Sequence, residues 1–119
     1  MSDTPKLRHI ALTTHDVEKT AKFYIEVFGM KEMGKINDPG TVGCFLSDGD
    51  INLAILSFKN DQAAGIERGK AFTGIHHFGF EVEDMASIQD KLATAGAVRR
   101  RDVEQALGVL EGERKHNVE

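Results

Sequence analysis

The chain contains 119 residues, of which 40% are hydrophobic and 29% are charged. This length accommodates one compact domain or two very small halves, and the composition excludes a wholly disordered or fibrous chain. Fifteen basic and 19 acidic residues give a net charge of −4, so nucleic acid and anionic membranes are not expected partners. Without an apolar run of the roughly 20 residues that a membrane span needs, and without an apolar leader, the sequence predicts a cytoplasmic protein.

The first predicted element is a strand around His9. Ile10 and Leu12 alternate with smaller or polar residues, which places them on a face that packs against a core. His9 lies on the opposite, less apolar face. The sequence therefore predicts that this second face lines a cavity.

A helix and three strands are predicted to follow. Asp16 is suited to cap the helix and Gly29 to end it. The mostly apolar residues between them recur at helical spacing and predict a stripe that faces the core, including Phe23, Tyr24 and Phe28. Short strands near 31–35, 41–47 and 51–58, separated by turn sequences, complete the order βαβββ. The polar segment 59–70 predicts an exposed connection and the most flexible part of the chain.

An internal repeat follows this connection. The segment that begins at His77 aligns without a gap with the segment that begins at His9, and Asp84 then coincides with Asp16. Both histidines lie on the less apolar face of a predicted strand, and both aspartates are suited to cap the next helix. The repeat predicts two related α+β modules.

The second copy departs from the first in its ending. Its strand directs Phe78 and Phe80 toward a core, and His76 has the same parity, so we expect His76 to be a half-buried structural residue. After Gly96 the residues no longer alternate. Helical spacing of the apolar residues instead predicts a helix capped by Asp102, with Val103, Ala106, Leu107 and Leu110 on its apolar face.

Two further features are predicted to be structural. Cys44 is the single cysteine, which excludes an intrachain disulfide and a zinc site with two thiolates, and its apolar neighbours predict a buried, inert thiol. Arg99, Arg100 and Arg101 precede acidic residues and predict a solvated face or turn.

These residues resemble the vicinal oxygen chelate superfamily, which contains glyoxalase I, bleomycin-resistance proteins and extradiol dioxygenases. The resemblance is carried by residues 8–12, by the helix with its ending Val27-Phe28-Gly29-Met30, by Ile51-Asn52-Leu53 and by residues 74–80. It implies an α+β fold of paired βαβββ modules that form a cupped mixed sheet, with the second module incomplete or atypical after Gly96. We expect one domain over 1–119, with modules at 1–58 and 74–119 and a connection at 59–73.

The resemblance also implies a metal site. Family sites take inward-facing residues from the first and last strands of each module. The two first-strand positions match His9 and His77, which the resemblance therefore implies as metal ligands. Asn52 stands where a glyoxalase-like enzyme has glutamate, and we expect it to bind substrate or water. Two imidazoles suit Fe, Zn, Ni, Co or Mn as the divalent ion.

The remaining ligands are unassigned. Glu81 shares a face with His77 but lies about 13 Å along the strand at roughly 3.3 Å per residue, too far to share its metal. Side chains of the C-terminal segment would reach the site only if that segment folds back, or a partner chain would supply a ligand. The candidates in that segment are Glu104, Glu111, Glu113 and His116.

Three functions fit this sequence. The first is a metal-dependent enzyme, dioxygenase-like or lyase-like, in which the ion chelates two neighbouring oxygens of a small substrate. The second is a metal-free protein that binds a small molecule, similar to bleomycin-resistance proteins. The third is a truncated, inactive family member. Because a module without its closing strands exposes sheet edges, we expect a homodimer or higher homo-oligomer.

Overall fold

The computed structural model describes residues 4–108 of the chain. Its elements in chain order are β1 (Lys6–Thr13), α1 (Val17–Phe28), β2 (Lys31–Asn37), β3 (Thr41–Ser47), β4 (Asn52–Phe58), α2 (Asp61–Ala64), β5 (Gly74–Glu81), α3 (Met85–Thr94) and α4 (Arg101–Leu107). Four residues named above lie outside the described range: Leu110, Glu111, Glu113 and His116. Among residues 4–108, no helix combines the length and the apolar character that a membrane crossing requires.

The five strands form one mixed sheet in the order β2-β3-β4-β1-β5. β1 runs parallel to β4 on one side and antiparallel to β5 on the other. The strand that carries His9 therefore lies between the strands that carry Asn52 and His77. This order is what brings the two halves of the chain to one site.

Helix α1 covers one face of the sheet and begins and ends as the sequence predicts. The Asp16 side chain accepts a hydrogen bond from the Lys19 backbone N–H, and Gly29 ends the helix at a φ of 71°, where a side chain would be strained. Ala21 packs with buried Cys44, Leu46 and Ile55, and Tyr24 lies against this cluster.

The predicted apolar stripe of α1 is wider than the face that is buried. Phe23 and Phe28 are 52% and 66% exposed, so the prediction that they face the core is wrong. Phe23 is two residues beyond buried Ala21, which places it about 200° around the helix axis. Phe28 is the last helical residue, and its ring stacks on Tyr24 rather than on the sheet.

The other face of the sheet is covered at one end by α2 and α4. Ala63 and Ala64 of α2 are buried with Phe58 of β4, and Leu107 of α4 packs against this cluster. The prediction that 59–70 is only an exposed connection is therefore wrong. A helix of four residues is too short to show a helical period in the sequence.

Glycine permits the close packing at this end. A Cβ atom on Gly40 would lie 2.7 Å from both the Ala63 Cβ and the Ala106 carbonyl oxygen. Contacts this short do not occur between real Cβ atoms and their neighbours, so any side chain at position 40 would force α2 and α4 away from the sheet.

The second half of the described chain buries far fewer of its side chains than the first half. Asp84 caps α3 as predicted, because its side chain accepts a hydrogen bond from the Ser87 backbone N–H, but α3 contains no buried residue. Phe78 and Phe80 are 62% and 60% exposed, so the prediction that they face a core is wrong. In the described part of the chain, helix α4 follows α3 where the first module has its strands, and no layer covers these two rings.

Helix α4 confirms the helical prediction over 101–107, but Asp102 does not cap it. The N-cap position belongs to Arg100, and no side chain caps the helix there. The Asp102 carboxylate instead accepts hydrogen bonds from the Arg100 guanidinium.

The side chains of Arg99 and Arg100 join α4 to its surroundings. The prediction that the arginine cluster is solvated is therefore wrong for these two of its three residues. Arg99 donates to both carboxylate oxygens of Glu104, at 2.8 and 2.9 Å, and Glu104 is only 6% exposed. Arg100 donates to both oxygens of Glu67, at 2.8 and 3.0 Å. Because the buried carboxylate of Glu104 requires a paired cation, the Arg99 side chain folds inward.

We predict that the Arg100–Glu67 pair makes stability depend on acid pH. Hydrogen bonds from Arg100 lower the pKa of Glu67 to about 2, from an ordinary value of 4.5. Between these values the unfolded chain binds more protons than the native chain, so this contribution is complete above pH 4.5 and is lost as the pH falls toward 2. Glu67→Gln should flatten that part of the profile of unfolding free energy against pH, measured by urea denaturation.

Glu83→Gln, which changes an exposed carboxyl on the loop before α3, is the matched control. An unchanged acid limb in Glu67→Gln would show that solvent screens the pair and that it contributes no stability.

Candidate metal and substrate site

His9 is positioned by an irregularity in β1. Leu7 pairs with Phe80 and His9 with Gly79, so Arg8 is an extra residue on β1 and forms a bulge. The His9 ring lies against Gly79, where a Cβ atom would be 3.3 Å from both Cβ and Cδ2 of His9. Glycine at this position leaves room for the imidazole on the surface of the sheet.

A second bulge positions His76 and His77. Ala11 pairs with His77 and Leu12 with Ile75, so His76 is an extra residue on β5. A bulge interrupts the alternation of side chains, and the Nδ1 atoms of these adjacent histidines are 2.8 Å apart. Strict alternation would have directed the two rings to opposite faces.

His76 is half-buried and hydrogen-bonded, as predicted, but it does not share the surroundings of Phe78. Its Nε2 lies 2.6 Å from the Ala64 carbonyl oxygen of α2, and its ring centroid is 4.8 Å from that of Phe58. Burial lowers the pKa of His76, which favours the neutral imidazole. The predicted face was wrong because the sequence contains no signal for the bulge.

The three residues singled out from the sequence lie together. The ring centroids of His9 and His77 are 5.3 Å apart, across the β1–β5 pairing. On the other side of β1, His9 Nδ1 lies 3.1 Å from Asn52 Oδ1, and these two residues are partners in the parallel β1–β4 register. Two imidazoles and one amide therefore share one patch of the sheet.

The hydrogen bond to Asn52 defines the protonation of His9. An amide oxygen only accepts, so Nδ1 of His9 carries the hydrogen and the lone pair of the neutral ring is on Nε2. Bonding of this kind through one ring nitrogen is the usual way in which a metal-binding histidine is oriented.

A cleft of about 240 Å³ adjoins this patch. It is lined by Arg8, His9, Ser47, Asp50, Asn52, Phe80 and Glu81. Glu81 forms an ion pair with Arg8 at 3.6 Å, and Asp50 is the second carboxylate of the lining. Because β1 lies between β4 and β5, Glu81 at the end of β5 and Asp50 before β4 approach the cleft from opposite sides. Sequence periodicity could not identify Arg8, Ser47 or Asp50.

A third ionisable ligand does not join the two histidines in the described range. Within residues 4–108, no group of three or more His, Cys, Asp or Glu residues is placed to hold a metal ion. Glu104 is committed to Arg99, as described above. The described chain therefore brings two imidazoles and one amide to this patch.

The remaining reactive side chains lie elsewhere. Cys44 is buried on the α1 side of the sheet, as predicted, and burial raises the pKa of its thiol, which makes it a poor nucleophile. His15 is exposed, as predicted, and its Nε2 lies 3.2 Å from the Ala71 carbonyl oxygen.

Comparisons with known proteins agree on the fold. The profile of the Glyoxalase/Bleomycin resistance protein/Dioxygenase superfamily matches residues 6–107. The ethylmalonyl-CoA/methylmalonyl-CoA epimerase of Cereibacter sphaeroides is 28% identical over 96 residues, which cover 77% of this chain and 72% of that protein.

Several solved structures have a TM-score of 0.67 to this chain, among them the two that follow. A variant of Streptomyces coelicolor methylmalonyl-CoA epimerase in complex with 2-nitronate-propionyl-CoA is 25% identical and covers 82% of this chain and 76% of its own. A methylmalonyl-CoA epimerase in complex with methylmalonyl-CoA and ammonium is 23% identical, with coverages of 80% and 72%. The predicted α+β fold is confirmed by these structures and by the sheet described above.

We predict that Asn52→Ala releases the His9 ring. Loss of the accepting oxygen removes a hydrogen bond with a net value of about 0.5–1.5 kcal/mol. His9 should then lose its preference for the Nδ1–H tautomer, which long-range ¹H–¹⁵N spectra of the metal-free protein detect. Asn52→Asp retains an accepting oxygen and should retain the tautomer. An unchanged His9 tautomer in Asn52→Ala would contradict this assignment.

Proposed function

The chain belongs to the Glyoxalase/Bleomycin resistance protein/Dioxygenase superfamily, and we propose that it is a divalent-metal-dependent enzyme of this superfamily in which His9 and His77 hold the ion. The observation that carries the proposal is the 5.3 Å separation of the two imidazole rings, which come from equivalent positions of the repeat. Histidines at equivalent positions of two modules that meet across the sheet are placed to share one ligand.

The donor set fits such an ion. Neutral imidazoles bind Fe, Zn, Ni, Co or Mn in proteins, and a catalytic ion needs positions left for substrate. When bound, the ion supplies a Lewis acid that polarises a carbonyl oxygen and holds two neighbouring substrate oxygens. Glu111, Glu113 and His116, outside the described residues, and a partner chain remain the sources of a further protein ligand.

We propose separate roles for the oxygen and the NH₂ group of the Asn52 amide. Its oxygen accepts the hydrogen of His9 Nδ1 and so orients that ring. Its amide NH₂ group is a donor for a substrate oxygen in the adjoining cleft, which Asn52 and His9 both line. This retains the expected role of Asn52 in substrate binding and adds the orientation of His9.

We propose epimerisation as the reaction, with a 2-substituted malonyl thioester as the substrate class. This choice rests on a curated relative, an ethylmalonyl-CoA/methylmalonyl-CoA epimerase that is 28% identical to this chain. Epimerisation removes the proton from the carbon between two carbonyl groups and returns a proton to the opposite face. Glu81 and Asp50 are the carboxylates of the cleft that are suited to carry this proton.

The first experiment is metal content per chain, measured by elemental analysis on protein purified without chelator. We expect one divalent ion per chain in the wild type, and loss of that ion in the double variant His9→Ala, His77→Ala. His15→Ala changes an exposed histidine outside the cluster and should retain the ion. Absence of metal after loading with Fe(II), Zn(II), Ni(II), Co(II) and Mn(II) would overturn the proposal and favour a metal-free binding protein.

The same samples test the reaction. In D₂O, the wild type should exchange the proton on C2 of methylmalonyl-CoA, followed by ¹H NMR, and the double variant should not. Exchange by the metal-free variant at the wild-type rate would show that the activity does not depend on the two histidines. Metal binding without exchange would support the metal site but exclude this substrate.

We also propose that the chain associates with itself through β5. β5 is the edge strand of the described sheet, because it pairs only with β1 among the described strands, and an edge strand can pair with a second chain. Ile75, Phe78 and Phe80 expose large apolar side chains on the same strand. An edge strand that carries an apolar patch is a usual sign of an interface between protein chains.

Sedimentation velocity over a range of concentrations tests this assembly. The wild type should dimerise or form a higher oligomer, and Phe78→Ser with Phe80→Ser should weaken the association. Phe23→Ser, which changes an exposed ring on α1, is the control. A wild-type chain that stays monomeric at all concentrations would refute the proposal.

A further inference from the structure

A chain of hydrogen bonds leads from His77 to the backbone of α2. His77 Nδ1 lies 2.8 Å from His76 Nδ1, and the other nitrogen of His76, Nε2, lies 2.6 Å from the Ala64 carbonyl oxygen. The second bulge makes this geometry possible, since it brings two successive side chains of β5 close together. The metal and substrate site described above contains His77 but not His76.

The Ala64 carbonyl oxygen, at the end of this series of hydrogen bonds, determines which imidazole nitrogens carry a hydrogen. A backbone carbonyl only accepts, so His76 carries its hydrogen on Nε2 and, in the neutral ring, its lone pair on Nδ1. That lone pair can only be bonded by a donor, so His77 carries its hydrogen on Nδ1. The lone pair of neutral His77 is then on Nε2.

We infer that His76 is a positioning residue, which sets the tautomer and ring orientation of His77 so that Nε2 is the nitrogen offered to a divalent ion. The inference rests on the proposed function for the identity of that ion. His76 itself is not placed among the ligands.

The same arrangement occurs at the other histidine by different means. His9 Nδ1 is bonded by the Asn52 amide oxygen from β4, whereas His77 Nδ1 is bonded by an imidazole anchored to α2. Both rings therefore have their lone pair on Nε2, and their centroids are 5.3 Å apart. Two ligands with one shared tautomer are suited to one ion between them.

The surroundings of His76 hold it in place. Its ring packs on Phe58 at 4.8 Å and on Phe72 at 6.2 Å. Arg68 donates to the carbonyl oxygens of Ile75 and His76, at 3.2 and 3.0 Å, and its guanidinium lies 4.6 Å from the Phe72 ring centroid. These contacts fix both the bulged backbone and the imidazole, as expected for a group that orients a ligand.

Two substitutions at position 76 separate the two hydrogen bonds. The amide of His76→Asn reaches the place of Nδ1, which keeps an acceptor for His77 and gives up the bond to Ala64. The amide of His76→Gln reaches the place of Nε2, which does the reverse. His76→Ala removes both. All three lose the imidazole, so a purely structural role predicts similar effects for Asn and Gln.

The first measurement is the tautomer of His77 in the metal-free protein. In long-range ¹H–¹⁵N spectra at neutral pH, His77 should be the Nδ1–H tautomer in the wild type and in His76→Asn. It should shift toward the Nε2–H tautomer in His76→Gln and His76→Ala. The His9 ring signals, whose orientation depends on Asn52, serve as the internal control for folding.

The second readout is metal affinity, measured by competition with a chromophoric chelator. Loss of such an orienting partner typically costs about 10- to 100-fold in affinity, which we expect for His76→Gln and His76→Ala. His76→Asn should retain most of the wild-type affinity, and His15→Ala all of it.

Two results would overturn the inference: an Nε2–H tautomer of His77 in the wild-type protein, or equal affinities for the Asn and Gln variants. A wild type that binds no metal would instead refute the proposed function. The tautomer spectra would then still decide whether His76 sets the protonation of His77, so the two failures are distinguishable.

Discussion

The pairing of β1 with both β4 and β5 is the constraint on which the rest of this structure depends. The parallel β1–β4 register places Asn52 beside His9, and the antiparallel β1–β5 register places His77 across from them. Backbone hydrogen bonds hold both pairings, so the positions of the three side chains follow from the sheet and not from a mobile loop. A site built on strands in this way is well suited to hold ligands at fixed distances.

Two bulges adapt this regular frame to the chemistry of the site. One extra residue, Arg8, accompanies His9 on β1, and another, His76, accompanies His77 on β5. Each bulge changes which way a side chain is directed without breaking the sheet. The first brings Arg8 into the cleft lining with His9, and the second allows two successive histidines to share a hydrogen bond.

Within residues 4–108, the two faces of the sheet are covered unequally. Helix α1 packs over the face that contains Cys44 and Ile55, whereas α2 and α4 cover only one end of the other face, around Phe58. Paired side chains such as Arg99 and Glu104 hold α4 in that position. A cleft of about 240 Å³ adjoins His9 and Asn52.

The sequence alone determined the first module, the N-caps of α1 and α3 and the pair of histidines, because each depends on local spacing or on the internal repeat. Asp16, Gly29 and Asp84 act over a few residues, and His9 and His77 are equivalent positions of one pattern. Only the tertiary structure decided that His76 contacts α2, that Arg100 pairs with Glu67 and that Phe78 lies exposed. These features depend on bulges and on contacts between distant segments, and neither leaves a period in the sequence.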